Sequence, residues 1–286
     1  VKIADILNTG KRTLSFEVFP PKTSDKFDTV REATEKIAAL RPSYMSVTFG
    51  AGGNGARYTL PIAANIEQKF EVPVVHHLTC VGSTFENIDE RLIFMRMVGV
   101  ENVLALRGDM PDGAAPEAWD FHHADELAKH IKAKGDFCIG GAAYPEKHPE
   151  APSLEDDIRV LRLKEEAGCE YFTTQLFFDN NLFYDFLEKV RAAGVTVPIV
   201  AGIMPVTSVK QISRIFGLSH SKSSPELDAA IEKYELDPDS FRKAGIDFAK
   251  KQIADIYAHG IRNVHLYTMN NAELAADIKN TFGSED

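Results

Sequence analysis

The sequence predicts a (β/α)8 barrel forming a single domain over residues 1–286. Three observations carry that prediction: eight short apolar runs, helix-patterned segments between them, and a length that accommodates eight such pairs. The runs are TLSFEVF (13–19), YMSVTFG (44–50), VVHHLTC (74–80), NVLALRG (102–108), FCIGGAAY (137–144), YFTTQLFF (171–178), PIVAGIMPV (198–206) and NVHLYTMN (263–270). Each is short and mostly apolar, as expected of parallel strands covered on both faces. Between them, DTVREATEKIAAL, TFENIDERLIFMRMVGV, LEDDIRVLRLKEEAG and NLFYDFLEKVRAAG repeat apolar residues three and four apart, the period of a helix packed on a sheet. Gly99, Gly168, Gly194 and Gly260 each follow such a segment and precede the next strand, where a left-handed helix cap is expected. The one long interruption, Gly217 to Asp239, reads as an insertion with a short extra helix before the last crossover helix. A doubly wound sheet is the alternative, but it calls for fewer strands.

Composition narrows the function. The formal net charge is −10, with 44% hydrophobic and 26% charged residues, which argues against a nucleic-acid or anionic-membrane surface. Small molecules, or a protein, are the expected partners. Cys80, Cys138 and Cys169 lack C-x-x-C spacing, and two lie in apolar runs, so a reducing cytoplasm is expected. No apolar run is long enough to span a bilayer, and VKIADILNTGKRT has no hydrophobic signal core.

Gly50, Gly52 and Gly55 spell G-x-G-x-x-G after an apolar run and before a helix pattern. A dinucleotide fingerprint also needs an acid at the end of the next strand, and PVVHHLTC ends in Thr79 and Cys80 instead. In a barrel this stretch becomes the second strand-to-helix loop, on the face where active sites are built. Its glycines would let backbone approach a flat ligand, or serve only as a flexible turn.

If that face holds the site, the polar residues at the strand ends should converge there. Glu17, set among Phe16, Val18 and Phe19, is expected to have its pKa raised by desolvation and to act as a general acid, unless a neighbouring Arg or Lys pairs with it. Asp109 follows Arg107 closely enough for an ion pair or a turn cap. His76, His77, Asp109 and His148 raise a metal-hydrolase alternative, but adjacent histidines on a strand point to opposite sides and the H-x-H spacing is absent. No metal is expected.

The motifs LSFEVFPPKT, SVTFGAGG, HLTC, LALRGDMP, AAYPEKHPEA, TTQLFFD, GIMPV and HLYTMN, taken in order from about Leu14 to Asn271, resemble the methylenetetrahydrofolate reductase family. The resemblance implies a barrel with noncovalent FAD that reduces 5,10-methylenetetrahydrofolate to 5-methyltetrahydrofolate by a ping-pong reaction, with NADH or NADPH as hydride source, in one-carbon metabolism and methionine biosynthesis. It implies that Glu17 is the acid, that Asp109 lies near flavin and pterin and stabilises a cationic iminium, and that Gln175 binds substrate. It also implies FAD contacts at Thr48, Phe49, His77, Arg107, Gly108, Asp109, Tyr144, His148, Ala151, Asp157 and Lys164, with Arg107 and Lys164 suited by charge to the pyrophosphate or ribityl chain.

Two departures stand out. Asn271, counted with Gln211 among the substrate-binding candidates, occupies a position where many members carry an arginine for the folate glutamate tail, so tail recognition would be weaker here or come from elsewhere, such as Gln211 or Lys210. GAGGNGARYT has Ala56 and Tyr58 at positions often polar or charged, which bears on how the reductant docks. A homo-oligomer is expected. Some relatives work beside an iron–sulfur protein, which leaves a protein electron donor open; the three cysteines could not hold a cluster of their own. Another flavin barrel, such as an amino-acid dehydrogenase, is the enzyme alternative.

Overall fold

The computed structural model describes residues 1–49, 56–110, 113, 115 and 118–283. Eight strands, Thr13–Val18 (β1), Met45–Val47 (β2), Val74–Thr79 (β3), Asn102–Leu106 (β4), Cys138–Ala143 (β5), Cys169–Thr174 (β6), Ile199–Ile203 (β7) and Asn263–Tyr267 (β8), close into a parallel barrel in sequence order. The last strand pairs with the first, in a register that sets Ser15 beside His265 and Glu17 beside Tyr267.

Helices Phe27–Ala38 (α2), Ala56–Phe70 (α3), Phe85–Met97 (α4), Ala124–Lys134 (α5), Leu154–Glu166 (α6) and Asn180–Ala192 (α7) each follow a strand and wrap the barrel. After β7 come Val209–Ser219 (α8), Pro225–Tyr234 (α9) and Pro238–Ala258 (α10), and Ala272–Phe282 (α11) follows β8. The 217–239 stretch thus holds the end of α8, all of α9 and the start of α10, and α8 begins well before it. Sequence punctuation sets these boundaries. Gly99, Gly168, Gly194 and Gly260 all have positive φ, from 81° to 114°, as the predicted helix caps require. At the N-termini, Ser153, Asp179, Ser208, Ser224 and Asp237 accept hydrogen bonds from backbone N–H groups of the helices they open.

Strand alternation divides the core in two. Leu14, Phe16 and Val18, with Met45, Val47, Val103, Ile139, Phe172, Ala201 and Leu266, pack outward against the helices. The opposite parity faces the barrel axis. At its N-terminal end that interior is apolar and is sealed by Ile3–Leu7 (α1), whose Ile3, Ala4 and Leu7 pack on Tyr44, Val75, Leu104, Cys138, Tyr171 and Val200. The sequence pattern does not predict α1, because one and a half turns are too short for a period to register. Its Ile3 N–H donates to Asn102 Oδ1 at 2.9 Å, which fixes it to β4. All three cysteines are free and buried.

Candidate active site

At the C-terminal end the same interior parity turns polar. Ser15 and Glu17 on β1, Ser46 on β2, His77 and Thr79 on β3, Thr173 on β6, and His265 and Tyr267 on β8 alternate with the outward apolar set. Glu17, His77, Thr79, Thr173 and Tyr267 line a cavity of about 1100 Å³ walled by the loops beyond the strands, with Ser15, Ser46 and His265 buried behind them. A cavity of that size can enclose a large flat ligand.

Glu17, the residue singled out at the first strand end, sits at the centre of this floor. Its Oε2 lies 3.3 Å from Ser46 Oγ, 3.6 Å from His265 Nε2 and 3.7 Å from His77 Nε2. Burial pushes its pKa up, but the hydrogen bond from His265, the charges of His77 and His265 when protonated, and Ser46 together outweigh it, so the carboxyl lies below its ordinary value. The expected rise is therefore corrected: the partners that lower the pKa come from β2, β3 and β8, far from Glu17 in sequence. Among the described residues no Arg or Lys pairs with it. Burial drives His77 down to about 4, against a raising contribution from Glu17, so His77 is neutral at pH 7. Its charge therefore supports Glu17 only in acid. His77 Nε2 has no hydrogen-bond partner, although its atom is buried.

The other predicted positions divide into two groups. Thr48, Phe49, His77, Arg107, Gly108, Asp109, Tyr144, His148, Ala151, Asp157, Lys164 and Gln175 all line the same cavity as Glu17. Gln211 and Asn271 are not among its lining residues. Gln211 Oε1 accepts from the Thr207 N–H and hydroxyl at 2.7 and 2.9 Å, and Asn271 Oδ1 accepts from Leu274 N–H at 3.0 Å, so both side chains serve helix N-termini. Lys210 is exposed on α8.

Local contacts show what each cavity residue has left to offer. Arg107 does not pair with Asp109, as its spacing allowed, but forks onto exposed Glu150, with Nη2 to Oε1 at 2.8 Å. A pair this exposed is worth well under about 1 kcal/mol, so a bound anion could displace it at little cost. Lys164 is 8% exposed, and its Nζ donates to the Ala142 carbonyl at 2.9 Å. Burial lowers its pKa, partly offset by neighbours that include Asp157. Asp157 Oδ2 accepts from His148 N–H at 2.8 Å, and His148 Nδ1 accepts from Glu150 N–H at 3.1 Å, which leaves Nε2 of the neutral ring as a donor. The His148 ring meets Tyr144 edge-on at 4.8 Å. Gln175 Oε1 accepts from Leu176 N–H at 2.9 Å, which leaves its NH2 without a protein acceptor among the described residues. Gly108 has φ of +86°, and a Cβ there would lie 3.1 Å from Thr79 Cβ, so this turn requires glycine. Asp109 is exposed at the rim.

Strand parity could have found Ser15, Ser46, His265 and Tyr267, since H-x-Y in NVHLY repeats the inward spacing of His77 and Thr79. Of these only Tyr267 lines the cavity; Arg91, Trp119, His123, Val160 and Leu163 line it from helices and loops where sequence carries no such signal. His76, of opposite parity to His77, packs against Phe49 with ring centroids 6.3 Å apart and does not line the cavity. The glycine motif at Gly50, Gly52 and Gly55 lies outside the described residues. Just beyond it, Tyr58 packs against Phe27 at 5.7 Å, with Arg57 over its ring at 4.7 Å.

A family model described as methylenetetrahydrofolate reductase matches residues 2–283. A 5,10-methylenetetrahydrofolate reductase of Pectobacterium carotovorum is 33% identical over 96% of this chain and 91% of its own length. The chain belongs to the methylenetetrahydrofolate reductase family. The Escherichia coli 5,10-methylenetetrahydrofolate reductase is 31% identical over 96% of this chain and 92% of its own length. Methylenetetrahydrofolate reductase (NADH) 1 of Arabidopsis thaliana is 37% identical over all of this chain, which spans 50% of that plant relative. Among solved structures, an uncharacterized Clostridium thermocellum protein that binds two copies of 5-methyl-5,6,7,8-tetrahydrofolic acid superposes with a TM-score of 0.71. It covers 98% of this chain and 99% of its own at 17% identity, and so speaks for the fold. No helix among the described residues is long and apolar enough to cross a membrane.

Proposed function

We propose that this protein reduces 5,10-methylenetetrahydrofolate to 5-methyltetrahydrofolate, using noncovalent FAD and NADH or NADPH. The observation that carries the reading is Glu17: one carboxylate, ringed by His77, His265 and Ser46, at the floor of the cavity on which the family motifs converge.

The cavity fits FAD on its own chemistry. The Gly108 turn brings backbone close to the space between Arg107 and Thr79, two cations stand on one wall in Arg107 and Lys164, and the orphaned His77 nitrogen is a polar atom awaiting a partner. Arg107 and Lys164 would hold the phosphates or ribityl chain, with Thr48, Phe49, His77, Gly108, Tyr144, His148, Ala151 and Asp157 completing the walls. Bound there, FAD supplies a two-electron carrier between nicotinamide and folate.

The chain's own residues do the rest. Glu17 gives a proton to a ring nitrogen of the bound folate. A flat ligand over the mouth removes the water around Glu17, which strengthens the contribution that raises its pKa and lets it hold that proton. Asp109, at the rim, places a negative charge where positive charge develops on the substrate, and the free NH2 of Gln175 binds and orients it. The buried free thiols accord with a reducing cytoplasm.

An anaerobic visible spectrum tests the reading. The purified protein should show a flavin band that bleaches with NADH and returns with methylenetetrahydrofolate. A band indifferent to NADH and NADPH would point to a protein donor; no band even after FAD is supplied would overturn the mechanism.

A further inference from the structure

We infer that Asn270, in the loop after β8, is a positioning residue for Glu17: its side-chain amide continues the β1–β8 ladder past its last rung and so fixes where the carboxyl stands. The inference rests on the reading of Glu17 as the acid of the folate reaction, and it adds a residue that is not among those lining the cavity.

Beyond Glu17 the first strand runs short of backbone partners. Phe19 is followed by Pro20 and Pro21, which have no N–H, so Phe19 carries the last N–H by which this strand end can be held. On the β2 side, Thr48 N–H donates to the Val18 carbonyl at 3.0 Å. On the other side the register ends with Glu17 beside Tyr267, and side chains take over from there. Thr268 gives its hydroxyl to the Glu17 carbonyl at 2.6 Å. Asn270 engages both backbone groups of Phe19: Oδ1 accepts from the N–H at 3.0 Å, and Nδ2 donates to the carbonyl at 2.9 Å. One amide thus makes the two-bond exchange of a strand pair.

The loop is bent to allow this. Asn271 N–H donates to the Thr268 carbonyl at 2.9 Å, which closes a four-residue turn, and both central residues have positive φ, +52° at Met269 and +57° at Asn270. Turns of that sign favour Gly, Asn or Asp at both centres, so Met269 is held against its own preference. Such backbone persists only where the surroundings over-determine it, and here buried Thr268 on one side and the Asn270 pair on the other do so. The residue type follows as well. Aspartate would set an oxygen against the Phe19 carbonyl, and glycine would keep the turn but leave both Phe19 groups unmet. Asn271, the neighbouring amide expected to meet substrate, caps α11 instead.

What the clamp controls is a set of distances. Glu17 Oε2 stands 3.3 Å from Ser46 Oγ, 3.6 Å from His265 Nε2 and 3.7 Å from His77 Nε2, at or beyond the outer limit of hydrogen bonding. A shift of the strand end by about 0.5 Å therefore decides whether the carboxyl keeps these partners. Ser46 from β2, His77 from β3, and His265 and Tyr267 from β8 are the groups that face it, and all four sit within paired strands. Glu17 is the last residue of β1 in register with β8, where the strand has most freedom to move.

Two measurements on the flavoprotein test it. Asn270→Gly keeps the left-handed turn and removes the amide. In stopped flow, reoxidation of the reduced variant by methylenetetrahydrofolate should slow about tenfold or more, while its reduction by NADH or NADPH keeps the parent rate. In carbon-13 NMR of the oxidised protein labelled at glutamate carboxyls, Glu17 should titrate at higher pH than in the parent, since burial remains while the contacts that oppose it loosen. Asn270→Asp tolerates the same backbone and keeps the bond from Phe19 N–H, so it should slow the same step by less. A parent reoxidation rate in Asn270→Gly, or a slowed one with an unmoved Glu17 titration, would overturn the assignment; if Asn270→Gly does not fold, a parent rate in Asn270→Asp overturns it. Glu17→Gln keeps the two ideas apart, since a variant that still reduces folate at the parent rate would end the acid reading itself, whatever Asn270 holds.

Discussion

The two ends of the barrel interior use the same residue types in opposite ways. At the closed end, Gly140 on β5 makes room for Tyr171: a Cβ at Gly140 would lie 2.3 Å from the tyrosine ring, and the Tyr171 hydroxyl is buried with no partner. At the open end, Gly202 on β7 makes room for Tyr267 in the same manner, with a Cβ 2.7 Å from its hydroxyl, but that hydroxyl donates to the Thr174 carbonyl. One tyrosine fills space and tolerates an unpaired polar atom; the other is placed by a bond. The floor beneath α1 is a packing solution, whereas the mouth is a hydrogen-bonding solution, and the difference shows where side-chain orientation matters.

The largest effects should come from removing the glycine space at either end. Gly140→Ala and Gly202→Ala should each destabilise the fold by about 3 kcal/mol, since neither the fully buried Tyr171 ring nor the Thr174 carbonyl, 2.3 Å from a Cβ at Gly202, has room to yield. Thermal or urea denaturation reads both. Only Gly202→Ala should also alter turnover, because Tyr267 lines the cavity; equal loss of turnover in the two variants would break the contrast.

A smaller effect follows from the buried histidines of β3. Burial, helped by Arg91 and His77, lowers His76 to about 3, and His77 lies at about 4. Both titrate far below the ordinary 6.5, so the unfolded chain binds protons that the folded chain refuses. Their stabilisation is complete above about 6.5 and is lost as pH falls toward 4, by about 1–2 kcal/mol per histidine between pH 7 and pH 5. Urea midpoints across that range should fall with pH, and less steeply in His76→Gln; a parallel slope would remove His76 from the account.

The smallest and sharpest test is one substitution made twice. Tyr171→Phe deletes an unpaired hydroxyl and should be neutral or stabilising by up to about 1 kcal/mol, whereas Tyr267→Phe deletes a made bond and should cost about 1 kcal/mol. Effects of equal sign in denaturation would show that the two ends are not distinguished as described.

The same contrast explains what could be read in advance. Eight strands and their crossover helices were legible because β1 to β8 alternate with amphipathic segments and Gly99, Gly168, Gly194 and Gly260 end helices as glycines do. Helix α1 was not, being five residues long, and α8 was not separated from the stretch that follows it. Glu17 was visible as a lone acid in an apolar strand, but the direction of its pKa was not, since Ser46, His77 and His265 become its neighbours only through barrel register. Gln211 and Asn271 illustrate a different limit: an amide that could greet a substrate is chemically the same as one that caps a helix.

The pairing of β1 with β8 also has a temporal meaning. Ser15 and His265, in contact at 2.7 Å, are 250 positions apart, and so are Thr13 and Asn263, which bond at 3.0 Å. Contacts this distant in sequence are slow to form, and a ribosome delivers Glu17 long before it delivers His265. Nascent chains that end before β8 therefore carry a carboxylate without its histidine partner and a first strand with one edge unpaired. Chaperone protection should be needed most during that interval, and the floor of the cavity cannot be completed until β8 is in place.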